Sequence, residues 1–243
     1  MQQPKNYEKV SIYGLDQHQR EQLLQAQREC VFNWCTNDSW PMGVIMTMLW
    51  HKDKAWLTCA EQRHRVSAVR RNPKVSVVLT SKGTSLGANK TITMKGTCTV
   101  HNSREVKDWF YPRFALRRCD GDHAAAKDFL KKLDSPLRVV LEVRPHKYIT
   151  YDGEKLEAHT KGALDQSQLT AMSESDAKRY HQFKAKEKAL IFSETIRDKG
   201  LRVKVDTTNT NIKGQMKKAG SSGAHFVAIF GDSELELGCV TIR

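Results

Sequence analysis

Long apolar runs are missing from this 243-residue chain. No stretch approaches the roughly eighteen consecutive apolar residues of a helical membrane span, so none is expected. The opening residues, Met1-Gln2-Gln3-Pro4-Lys5-Asn6, lack the apolar core of a signal peptide. Cysteine is sparse and unpatterned. Cys30, Cys35, Cys59, Cys98, Cys119 and Cys239 include no pair at two-residue spacing, which argues against a zinc site and against a disulfide framework. Cys59 and Cys98 fall inside strand-like stretches, where cysteine packs as a small hydrophobe. A cytoplasmic location is the expectation. No internal repeat is visible, and nothing suggests a catalytic triad or a carboxylate pair.

What is present is positive charge. The formal net charge is +13, spread along the chain rather than gathered in a tail. That balance favours anionic partners: a phosphorylated cofactor, a nucleic acid or an acidic membrane surface. The length is ample for a buried core, as one large domain or two small ones.

Apolar patterning gives the elements. Leu15 to about Cys35 reads as a helix. Strands are expected at 42–50, 54–60, 75–80 and 90–101, with Ile92 and Met94 alternating with polar residues in the last. Helices follow at 103–118 and 122–133. A final strand, Arg138 to Arg144, is expected to break at Pro145 and resume through Tyr148 to Tyr151. Several strands with few helices argue for a closed or partly closed antiparallel barrel. Between two of the strands lies the basic segment Arg63-His64-Arg65-Val66-Ser67-Ala68-Val69-Arg70-Arg71-Asn72-Pro73. A strand-to-helix turn of this kind suits a phosphate, because free helix N–H groups and forked guanidinium donors meet there. Arg65 is the residue favoured for that role. Arg70 and Arg71 read more simply as a solvated helix face, and His64 taken alone as a surface histidine.

Five elements in order carry a family resemblance. They are the Pro41-led strand, Trp56-Leu57-Thr58, Arg65 eight positions before Pro73, the Arg70-to-Val75 run, and Lys90-Thr91-Ile92-Thr93-Met94-Lys95-Gly96. Residues 15 to 155 resemble the pyridoxamine 5′-phosphate oxidase-like split-barrel flavoproteins. The resemblance implies FMN, with Met46 and Thr47 nearest the flavin ring and Thr58 on the phosphate or ribityl chain. It places the phosphate on Arg65, with Arg63 or His64 beside it. Lys90 and Thr91 fall where the family presents polar side chains to the ring, often from the second subunit of a homodimer. The apolar strands and Trp109-Phe110-Tyr111-Pro112 are candidates for that dimer's interface. The implied activity is hydride transfer to or from a small-molecule substrate.

The arginine- and tryptophan-rich signature of true pyridoxamine phosphate oxidases has no counterpart in Lys147 to Ala158, which puts vitamin B6 oxidation in doubt. Relatives bind the deazaflavin F420 or haem, so these stay open as cofactors, and a non-catalytic binding role stays open with them. A further alternative is an RNA-binding protein acting through its basic surface and tail.

The tail differs in character. Residues 162–184 are polar and read as a linker between a domain at 1–161 and a second at 185–243. Ala189 to Gly200 reads as a helix with a glycine cap. A strand (Leu201 to Val205), a helix (Asn211 to Ala219) and strands at His225 to Phe230 and Cys239 to Ile242 follow, implying a small α/β unit with parallel pairing. Gly200-Leu201-Arg202-Val203-Lys204-Val205-Asp206, Ile212 to Ala219 and Gly231 to Arg243 resemble part of the anticodon-binding domain of histidyl-tRNA synthetases. Nothing upstream resembles the ATP-binding core of such an enzyme, so aminoacylation is not expected, and a structural remnant is the simpler reading. The expected whole is mainly β in an α+β sense: a split β-barrel flavoprotein domain followed by a small, incomplete α/β domain.

Overall fold

The computed structural model describes residues 7–208 and 211–243, in two compact units that divide between Ala171 and Met172. The first unit is built on one antiparallel sheet: β1 (Glu29–Cys35), β2 (Pro41–Thr47), β3 (Leu49–His51), β4 (Lys54–Ala60), β5 (Lys74–Thr80), β6 (Lys90–His101) and β7 (Arg138–Asp152). The spatial order is β2-β1-β5-β6-β7-β4-β3. Four helices accompany it in sequence: α1 (Gln17–Ala26), α2 (His64–Arg71), α3 (Arg104–Arg118) and α4 (His123–Leu133). This is the split barrel that the family resemblance implied, and the antiparallel barrel that the strand pattern suggested.

Alternation along the strands divides the core in two. Ala55, Leu57 and Cys59 of β4 join Phe32, Val77, Ile92, Met94 and Leu141 in the barrel interior. Their neighbours point the other way, as a period-two strand requires. Trp56 of β4 and Val140 of β7 pack outside, against Phe110, Tyr111 and Phe114 of α3 and Leu133 of α4. Two fully buried rings, Phe110 and Tyr111, thus hold the helix pair to the sheet. These residues were candidates for a dimer surface, but their side chains are spent inside the chain.

The helix expected through Cys35 stops at Ala26. Cys30, Phe32 and Trp34 alternate as buried residues, and that period belongs to a strand. Gln27 marks the change. Its side-chain oxygen accepts from the Arg28 and Glu29 backbone N–H groups at 2.8 and 3.1 Å, and its amide donates to the carbonyls of Thr80 and Lys82. Arg117 reaches across from α3 and donates to the Gln25, Gln27 and Met48 carbonyls at 2.6, 2.7 and 3.0 Å. The orphan carbonyls at the end of α1 are therefore satisfied by a charged donor.

The expected break at Pro145 is a bulge instead. β7 runs unbroken to Asp152, and the register against β6 shifts between Lys95 and Gly96, opposite Pro145. A proline costs no ladder bond at a bulge. Gly96 is required there, because a Cβ would clash with the Arg144 carbonyl oxygen. Beyond β7, α5 (Gly153–Thr160) is capped by buried Asp152, whose carboxylate accepts from the Glu154 and Lys155 N–H groups. Residues 162–171 return to the N-terminal segment, where the Thr170 N–H donates to the Ile12 carbonyl at 2.8 Å and its hydroxyl accepts from the Gly14 N–H at 3.2 Å.

The second unit contains α6 (Glu174–Arg197), α7 (Ile212–Ser221), β8 (Ala228–Ile229), α8 (Asp232–Leu237) and β9 (Thr241–Ile242). Residues 174–184, expected in the linker, form the first half of α6, started by a Ser173 cap. β8 and β9 pair antiparallel rather than parallel, and Leu201 to Val205 joins no ladder. Phe192 and Phe230 meet at 5.5 Å between ring centres, yet among the described residues of this unit only Ser193 is buried.

Phe110→Ala removes a fully buried ring from the contact between helix pair and sheet. It should cost about 3–5 kcal/mol of stability, measured by denaturant unfolding of the full chain. A loss within experimental error would show that this contact does not hold α3 to the barrel.

Candidate functional site

β4 ends at Ala60, and the chain turns through Glu61 and Gln62 into α2. The N-cap of α2 is Arg63, whose side chain makes no capping hydrogen bond, and no acidic residue occupies the first turn. Backbone N–H groups and the positive end of the helix dipole are left without an anionic partner from the chain. Arg65, in that first turn, lines a cleft of about 240 Å³ that draws on both core clusters, Met46 from the barrel interior and Phe114 and Phe129 from the helix-packed side. Ile45, Met46 and Thr47 of β2 and Thr58 of β4 also line it. Phe114 and Arg118 at the end of α3, Phe129 of α4 and Arg138 at the start of β7 complete the lining.

Three guanidinium groups and no carboxylate line this cleft. Some arginines elsewhere have carboxylate partners: Arg28 has Asp120, Arg70 has Glu61, and Arg104 has Asp108 and Asp134. Among the described residues no carboxylate pairs with Arg65, Arg118 or Arg138. The Arg65 side chain lies with its guanidinium carbon 5.9 Å from the Trp34 ring centre, and its Nε is buried without a hydrogen-bond partner. Its charge also reaches the Cys59 thiol. Burial pushes that thiol up from its ordinary value, and Arg65 partly opposes the shift. A buried orphan donor is costly, and the cost is relieved when an acceptor binds.

Thr58 is already committed as a donor, since its hydroxyl gives its proton to the Val139 carbonyl at 2.8 Å. It offers lone pairs to the cleft, so it suits a hydroxyl of a bound molecule better than an anionic oxygen. Beside it the Tyr111 hydroxyl is buried without a well-formed hydrogen bond, and burial raises its pKa, with Thr58 opposing.

Of the eight residues expected at the site, the cleft brings together Met46, Thr47, Thr58 and Arg65. Arg63 and His64 stand exposed at the start of α2 and do not line it. Lys90 and Thr91 lie apart from it within the chain. The Lys90 ammonium is ion-paired with Glu154 and lies 3.9 Å from buried Asp152. Thr91 stands between Thr80 and Tyr151 in the sheet. Arg118, Arg138, Phe114 and Phe129 were not foreseen. Their only signals were an arginine closing a helix and another opening a strand, and neither is specific.

The antiparallel split barrel with helices on its outer face defines the class. A solved structure of a conserved hypothetical protein from Mycobacterium tuberculosis shares this fold, with TM-score 0.53 and 15% identity over 60% of this chain and 90% of that one. The family model for pyridoxamine 5′-phosphate oxidase matches residues 16–152, and the chain belongs to that family. The model for the anticodon binding domain matches residues 171–243. That part is similar to histidine–tRNA ligase of Nitrosomonas europaea, with 45% identity over 51 residues, 21% of this chain and 12% of that protein. It is also similar to the ligase of Burkholderia mallei, with 41% identity over 63 residues, 24% of this chain and 14% of that one. The chain thus spans about an eighth of the length of the curated relatives it matches.

The barrel interior also sets thiol chemistry. Burial pushes Cys30 and Cys98 up to about 12, and raises Cys59 as well. A thiol reagent at about pH 8 should therefore titrate exposed Cys35 and Cys239 at once and half-buried Cys119 slowly. Cys30, Cys59 and Cys98 should react only after unfolding. Rapid reaction of all six in the native protein would contradict this packing.

Proposed function

We propose that the chain binds FMN, with the phosphate held in the three-arginine cleft, and acts as an oxidoreductase on a small molecule. The observation that carries the reading is that Arg65, Arg118 and Arg138 line one cleft with no carboxylate partner among the described residues, Arg65 standing in the first turn of α2. A phosphate monoester takes forked donors from several sides, and three guanidinium groups provide them. Membership of the family supports a flavin-type cofactor. A cleft of about 240 Å³ suits the phosphate and the ribityl chain, so the ring is assigned to the sheet surface beside Ile45 and Thr47. Bound flavin supplies the hydride chemistry. The protein's part is to orient the cofactor and exclude water, which calls for no triad or carboxylate pair.

The sheet surface beside that ring is exposed and apolar. Ile45, Val31, Val78, Thr93 and Ile149 are successive cross-strand partners over β2, β1, β5, β6 and β7. Ile45 is 73% exposed and Ile149 51%. We assign this row to a homodimer interface that completes the site, since a two-fold axis along β5 sets β6 and β7 of one copy over β1 and β2 of the other. Thr91 then comes from the second copy. Lys90, held by Glu154, fixes the end of β6 rather than donating to the ring.

Arg65→Ala should weaken FMN binding by about 1.5–3 kcal/mol, roughly ten- to a hundredfold, in titration of the cofactor-free protein. Unchanged affinity would remove Arg65 from the site. The released chromophore's absorption spectrum separates FMN from F420 and haem. A chain ending at Ala171 should keep its flavin and its dimeric state, because the Thr170 bonds to the N-terminal segment are retained. Loss of flavin on that truncation alone would make the tail part of the site.

A further inference from the structure

α6 carries an exposed stripe that is complementary to itself. Asp176, Arg179, Phe183, Glu187, Leu190, Glu194 and Arg197 recur at three- and four-residue steps, so they share one face. At its centre Phe183 is 69% exposed, Leu190 47% and the neighbouring Ile191 59%. The opposite face is occupied within the unit by the Phe192–Phe230 contact and the His181–Asp232 pair at 3.7 Å, while buried Ser193 lies on the flank and Arg197 also donates to the Val203 carbonyl at 2.9 Å.

We propose that this stripe docks against the same helix of a second copy, antiparallel, about a two-fold axis between Lys186 and Glu187. The charge order selects this occupant. Reading outward from the axis, Phe183 meets the partner subunit's Leu190, Arg179 meets the partner subunit's Glu194, and Asp176 meets the partner subunit's Arg197. At the axis, Lys186 meets the partner subunit's Glu187. Each pairing joins opposite charges or two apolar side chains. A two-fold contact must have this property, because residue i touching j implies j touching i. Arg179 already pairs with Asp176 and Arg197 with Glu194 along the helix, so docking joins two dipolar pairs into a four-charge group at each end. Antiparallel packing also opposes the helix dipoles, and charged pairs flanking an apolar seam fix orientation. A parallel arrangement would stack Phe183 on itself and set Asp176 against Asp176.

Disulfide trapping in the full chain tests this. Under oxidised glutathione, the double variant Phe183→Cys with Leu190→Cys should form a reducible covalent dimer in high yield. Either single variant should match the unsubstituted chain, since its own mate lies seven residues away, roughly 10 Å along the axis. Adding Asp176→Arg with Arg179→Asp keeps the pair within the helix but reverses the order at one end. It should cut trapping by more than roughly tenfold. Adding Glu194→Arg with Arg197→Asp as well should restore it. No covalent dimer, equal trapping of Phe183→Cys alone, or trapping that ignores the reversal would each overturn the proposal.

Discussion

Charge held without a counter-charge is the constraint on which this structure turns. A half-buried guanidinium beside apolar walls loses solvation, and a protein normally offsets that with a carboxylate. Here exposed Arg28, Arg70 and Arg104 have carboxylate partners, whereas half-buried Arg65 and Arg138 and the exposed Arg118 beside them have none among the described residues. Arg65 leaves a buried Nε with no acceptor, and the start of α2 nearby carries no acidic group. These groups add to one positive field, and an anion is the partner that relieves all of them together.

That field rests on the division of the barrel's two faces. Strand β4 turns Leu57 inward and Thr58 outward, and the same alternation in β7 puts Val139 inside and Val140 against the helices. Phe110 and Tyr111 then fix α3 over the outer face, which carries Phe114 and Arg118 to the cleft. Arg117, one residue earlier on the same helix, is turned toward the carbonyls of Gln25, Gln27 and Met48. Two adjacent arginines therefore have opposite fates. One is consumed in holding the end of α1 and the other faces the cleft.

Most of the barrel was legible because its strands alternate cleanly, and half of the expected site was legible because β2, β4 and α2 are close in sequence. The rest needed distance information. Arg118 and Arg138 come to Arg65 only through the packing of α3 and α4 on β4 and β7, which no local pattern encodes. β1 was hidden because Gln22 to Arg28 continues the helical composition, and the stop lies in the contacts of Gln27 and Arg117 with remote residues. At Pro145 a local rule gave way to a bulge that Gly96, some fifty residues away in sequence, makes possible. In the tail, Leu201 to Val205 has a strand's alternation but no partner in the described residues, so propensity alone did not make it a strand.

The central claim is that the cleft recognises a phosphate rather than the flavin ring. Comparing FMN with riboflavin on the cofactor-free protein tests it most directly, because the two differ only in that group. FMN should bind tighter by about a hundredfold or more, with the advantage shrinking as salt rises. Equal affinity for the two would contradict the account.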